Sequence, residues 1–130
     1  MAGSALSFAK IFVADLDRSA KFYSRAFGLT VGRHMATPEF DECILRPADG
    51  NGGSLVLCRW KDGRALTHGN ANGPIGFIVG AVDGVHDAVI DAGGASRMKP
   101  VDFGTARVAF VDDPDGHAIE LLSPQGAAKN

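Results

Sequence analysis

The sequence predicts an α+β fold made of two βαβββ modules, their curled mixed sheets enclosing a cup. Three observations carry this expectation. Each half of the chain opens with an alternating strand pattern followed by a segment of helical spacing. Each then continues with strand-like runs, and a polar, glycine-rich stretch separates the halves, so the pattern is stated twice. At 130 residues the whole chain, 1–130, is expected to form a single domain with a core of its own.

The first module, about 5–61, opens with "SFAKIFV", in which Ala9, Ile11 and Val13 alternate with Phe8, Lys10 and Phe12. In "ADLDRSAKFYSRAFG", Leu16, Ala20, Tyr23 and Phe27 fall at helical spacing; Asp15 or Asp17 caps the start and Gly28 closes the end. "LTVGRHM", "FDECILR" and "GSLVLCRW" read as strands. Residues 62–73, "DGRALTHGNANG", read as a linker. The second module, about 74–124, restarts with "PIGFIVG", and "DGVHDAVIDAGG" then places Val85, Ala88, Val89 and Ala92 on one helical face before a double-glycine stop. "SRMKP", "ARVAFV" and "HAIELLS" are the remaining strands, the last two joined by the turn "DDPDG".

Hydrophobic residues make up 45% and charged residues 22%, the balance of a globular protein. A net charge of −2 leaves no basic stripe for nucleic acid. No apolar run approaches the roughly 18 residues of a membrane span, and "MAGSALSF" lacks the basic and apolar segments of a signal peptide, so a cytoplasmic protein without membrane partners is expected. Cys43 and Cys58 sit in strand-like segments with no Cys-x-x-Cys around them and read as reduced, buried thiols.

"IFVADLDRSAKFYSRAFGLTV" resembles the opening helix signature of the vicinal oxygen chelate superfamily, the glyoxalase, bleomycin-resistance and extradiol-dioxygenase group, and "VAFVDDPDGHAIELLSP" resembles its closing hairpin. The resemblance implies a divalent metal at the floor of the cup, held from the first and last strands of each module. The corresponding positions here are Phe8, Leu57, Pro74 and Glu120. The first three offer no lone pair, and one carboxylate cannot hold an ion that wants four to six donors. Shifts of two residues present Lys10, Gly76 and Leu55 or Arg59 instead. His34, His68, His86 and His117 each read as surface residues that no spacing brings together. No metal and no other cofactor is therefore expected. The resemblance also implies a homodimer.

Strand parity gives an expected cup lining. With Glu120 inward, Ala118 and Leu122 follow it while Ile119 and Leu121 pack under a helix. Leu55, Leu57 and Arg59 point inward in the first module, with Val56 and Cys58 to the core, and the two opening strands add Phe8, Lys10, Phe12, Pro74, Gly76 and Ile78. Such a mainly apolar lining with a few charges suits a small-molecule ligand. Glu120 needs a partner, and parity offers Arg59 or Lys10: either an internal ion pair with no chemical role, or a carboxylate that orients a ligand or acts as a base. Phe8, Phe12 and Trp60 read as stacking or packing aromatics, Trp60 being opposite in parity to Arg59. Asp112, Asp113 and Asp115 read as solvated turn residues, and Glu39, Asp41 and Glu42 of "PEFDE" as an exposed strand entry. "DGNGG" lies between strands and not before a helix, so it is no phosphate loop.

The expected function is metal-independent binding of a small apolar or aromatic molecule in the cup between the modules, as in drug-sequestering members of the group. The alternative is a lyase, isomerase or dioxygenase-like enzyme using Glu120 as base or as sole remaining metal ligand. A third reading is a partner-binding module whose cup is filled by its own side chains.

Overall fold

The structure, a computed structural model, describes residues 3–124. The chain divides into two compact units. The first runs to Ser24 and from Gly28 to Leu66; the second comprises Arg25–Phe27 and the chain from Thr67 onward.

The first unit contains β1 (Phe8–Phe12), α1 (Leu16–Phe27, with its last three residues in the second unit), β2 (Thr30–Ala36), β3 (Phe40–Arg46) and β4 (Ser54–Trp60). Asp15 accepts a hydrogen bond from the Arg18 backbone N–H at 3.0 Å and starts α1. Gly28, at φ 69°, ends it in the left-handed conformation that glycine adopts without a Cβ penalty. The helix buries Ser19, Ala20, Phe22, Tyr23 and Ala26, a stripe shifted from the expected one, in which Leu16 and Phe27 are only half-buried. The sheet order is β1-β4-β3-β2, with β1 parallel to β4 and the other pairs antiparallel.

The second unit repeats this plan with β5 (Ile75–Ile78), α2 (Val82–Asp91), β6 (Ala95–Phe103), β7 (Ala106–Asp112) and β8 (Ala118–Ser123), in the order β5-β8-β7-β6. The α+β architecture of two four-stranded mixed sheets is thus the predicted one. Strand β6 runs past Pro100 to Phe103, longer than expected; it is an edge strand, where a missing N–H is tolerated. Helix α2 packs across β6, β7 and β8 and buries Val82, His86 and Val89 against a sheet face on which Ala109, Val111, Ile119 and Leu121 are all fully buried. The expected stripe through Val85 and Ala88 is only half-buried. Arg107 fastens the start of α2 to the sheet: its Nε and Nη2 donate to Asp83 at 2.6 and 2.9 Å, and its Nη1 to Asp102 at 2.9 Å.

Cys43 and Cys58 are both free and fully buried. Burial, then the Glu42 carboxylate, pushes the Cys58 thiol from its ordinary 9.0 up to about 11; burial, then Asp17, raises Cys43. A thiol-reactive disulfide reagent at pH 8 is therefore expected to label neither cysteine in the native protein and both after denaturation. The folded state keeps the Cys58 proton where the unfolded chain loses it. That contribution to stability is complete below pH 9 and fades as pH rises to about 11, which a urea titration at each pH reads.

Candidate functional site

In the first unit the site is defined by which side chains share a face with Phe8, Lys10 and Phe12. The parallel pairing sets Phe8 against Ser54, Lys10 against Val56 and Phe12 against Cys58; β3 then sets Ile44 against Val56, Glu42 against Cys58 and Phe40 against Trp60. This face therefore carries Ser54, Val56, Cys58 and Trp60. Leu55, Leu57 and Arg59 lie on the opposite face with Cys43 and Leu45, which corrects the parity assigned to them from sequence. Arg59 donates to Asp41 at 3.3 Å and borders an open hollow with Ala14, Asp15, Leu16 and Asp17, beside the start of α1.

At the centre of the Phe8–Phe12 face is an ion pair. Lys10 Nζ donates to Glu42 Oε1 at 2.9 Å, and the Glu42 side chain is only 7% exposed against 42% for Lys10. Glu42 is not the exposed strand-entry residue expected: it projects among Cys58, Phe40 and Ile44, with Cys58 Sγ 4.0 Å from Oε1. Lys10 Nζ lies 5.6 Å from the Phe40 ring centre, and the Glu42 hydrogen bond holds its pKa above the ordinary 10.5. Phe12 stacks on Trp60 at 4.0 Å, with Phe40 edge-on to both. The Arg64 guanidinium lies 3.9 Å from the Trp60 ring centre. Trp60 thus packs against its own chain, while Phe8, 54% exposed, is free to meet something else.

In the second unit the face carrying Glu120 also carries Gly76, Ile78, Ala118, Leu122, Val108 and Phe110, with Pro74 just before β5. Glu120 is half-buried and, among the described residues, makes no hydrogen bond or ion pair. The expected partners are engaged elsewhere, Lys10 with Glu42 and Arg59 with Asp41, so the internal pair proposed for Glu120 is not formed.

Three expectations about polar residues change. Asp113 is buried, and accepts the backbone N–H groups of Asp115 and His117 at 2.9 Å each; it builds the turn before β8 from inside. His86 is buried and hydrogen-bonds with Ser96 at 2.7 Å. His68 and His117 do meet, with ring centres 4.6 Å apart and His68 Nε2 donating to the Asp115 carbonyl at 2.8 Å, which ties the linker to the turn.

The donor chemistry at the four expected metal positions does not fit a divalent ion. Beside Phe8 on its own face stand Ser54 and Val56, with no carboxylate, imidazole or thiolate. Cys58 lies opposite Phe12, about 13 Å along the strand from the level of Phe8, and holds its proton; Glu42 is occupied by Lys10. Among the described residues no three His, Cys, Asp or Glu side chains are grouped to hold a metal. No helix among them is long and apolar enough to cross a membrane.

Comparison with known proteins gives a consistent picture. The family model of the Glyoxalase/Bleomycin resistance protein/Dioxygenase superfamily matches residues 5–121. A probable lactoylglutathione lyase of Vibrio cholerae is 33% identical over 120 residues, covering 88% of this chain and 87% of its own. The lactoylglutathione lyase of Haemophilus influenzae is 34% identical over 115 residues, 85% of each chain. Among solved structures, the trypanothione-dependent glyoxalase I of Leishmania major superposes with a TM-score of 0.80 at 28% identity, covering 95% of this chain and 89% of that one.

Proposed function

Because this chain belongs to the Glyoxalase/Bleomycin resistance protein/Dioxygenase superfamily, we propose that it binds a small apolar or aromatic molecule without help from a divalent metal. The observation that carries this reading is the donor chemistry: Phe8 and Val56 in the first unit and Pro74 in the second offer no lone pair, Ser54 offers only a neutral hydroxyl, and Glu120 is the one carboxylate at these positions. In the first unit, exposed Phe8 and half-buried Phe12 supply apolar surface of the kind a hydrophobic ligand requires; the second unit by itself offers Ile78 and Leu122. The test is to incubate the purified protein with zinc, nickel or manganese, remove free ion, and measure what remains. The expected result is far less than one equivalent. A stoichiometric ion, lost together with ligand binding on chelation, would overturn the reading.

A second reading is favoured by Glu120, which pairs with nothing among the described residues, and by relatives named lactoylglutathione lyase. A half-buried carboxylate with no cation beside it among the described residues can serve as a proton acceptor, so an enzyme using Glu120 as base fits the same residues. Glu120→Gln decides it on any substrate the chain turns over, because an unchanged kcat would dismiss that role.

A further inference from the structure

Lys10 sits where packing alone would place an apolar residue. Phe8 and Phe12 flank it on its own strand, and Val56 and then Ile44 stand across from it on the same face. Its partner Glu42 is the inner member of the pair, nearly sealed among Phe40, Cys58 and Ile44, while the ammonium is the outer, half-exposed member. A buried carboxylate is an expensive way to build a sheet, since apolar residues of similar volume do at least as well. Its effect here is on Lys10. One of three N–H donors is fixed to Oε1 at 2.9 Å, which restricts a long side chain and leaves two donors on the open side of an aromatic-flanked surface.

Such a group recognises an oxygen acceptor. An anionic oxygen hydrogen-bonded to a second N–H on the open side would lie about 2.8 Å from Nζ and, at the tetrahedral angle between donors, roughly 4.6 Å from the Glu42 oxygen behind it, so attraction outweighs repulsion by a factor of about 1.7 by distance alone. Because Glu42 has already restricted the side chain, little further ordering is needed when a ligand arrives. We propose that Lys10, positioned by Glu42, is the specificity-determining residue of this face and selects small aromatic or apolar molecules that carry a carboxylate. The proposal deepens the metal-free binding reading and rests on it.

The experiment uses the full chain and two probes of one shape, 2-naphthoate and its uncharged analogue 2-naphthamide, each titrated while backbone amide shifts are followed by NMR. The wild type is expected to bind the carboxylate about tenfold more tightly than the amide. Lys10→Met should bring that ratio to about one, the carboxylate losing more affinity than the amide, and Lys10→Arg should keep most of the preference. If Lys10→Met fails to fold because Glu42 is left buried and unpaired, the double variant Lys10→Met/Glu42→Leu removes both charges and reads the same ratio. A ratio that survives loss of Lys10, or a wild type without preference while both probes bind, overturns the role of Lys10 and leaves metal-free binding standing. Binding of neither probe overturns both.

Discussion

Leu57→Ala is expected to lower stability by about 3 kcal/mol while leaving the naphthoate-to-naphthamide ratio at its wild-type value. Leu57 is fully buried at the middle of β4, with Ile11 beside it on β1 and Cys43 on β3, and it shares its face with Leu45 and Leu55. Truncation opens a cavity bounded by backbone on two sides, and paired strands collapse poorly into such a space. The ratio should not move, because Leu57 points away from Lys10 across the thickness of the sheet. Urea unfolding measures the first effect and the paired titrations the second. A large change in ratio with little loss of stability would mean that Leu57 belongs to the binding face after all, as counting along the strand alone suggests.

That contrast shows where the sequence is legible and where it is not. Helix α1 announces itself through an aspartate cap, a periodic stripe and a closing glycine, all of which are local chemistry. The repeat is equally legible, since each sheet is built in the same order from the same pattern. The facing of β4 is not. Leu55, Val56, Leu57 and Cys58 are all buried, so the strand reads as a continuous apolar run without alternation, and only its pairing with β1 fixes which side is which.

Glu42 was hidden for a different reason: "PEFDE" looks like a solvated acidic entry. A signal was present nonetheless. In "FDECILR" the residues two before and two after Glu42 are Phe40 and Ile44, an acid inserted into an otherwise apolar face. The meeting of His68 with His117 had no such signal, because it joins a linker to a distant turn: His68 and its hydrogen-bond partner Asp115 are 47 residues apart in sequence. Glu120 lies between these cases. Its face is legible from the alternation of "AIELL", whereas whether any described side chain pairs with it is not a local property of that strand.

Gly53→Ala tests the element on which the Lys10 face depends. Gly53 has no left-handed backbone requirement; its constraint is space, because a Cβ there would stand 2.9 Å from the Ser7 carbonyl oxygen. That same oxygen accepts the Ser54 N–H at 3.0 Å at the entrance to the β1–β4 ladder. Both atoms belong to main chain, so no side chain can swing aside, and relief requires β1 to move away from β4. The expected loss is about 1–3 kcal/mol, read as a lower urea midpoint at constant slope. Gly80→Ala is the matched control: nothing lies within 4 Å of its added Cβ, its φ is ordinary, and its effect should stay within about 0.5 kcal/mol. Displacing β1 also moves Lys10 away from Glu42, so the carboxylate preference should fall in Gly53→Ala and hold in Gly80→Ala. A Gly53→Ala protein as stable and as selective as wild type would show that the Ser7 contact does not set the register, and with it the placement of Lys10.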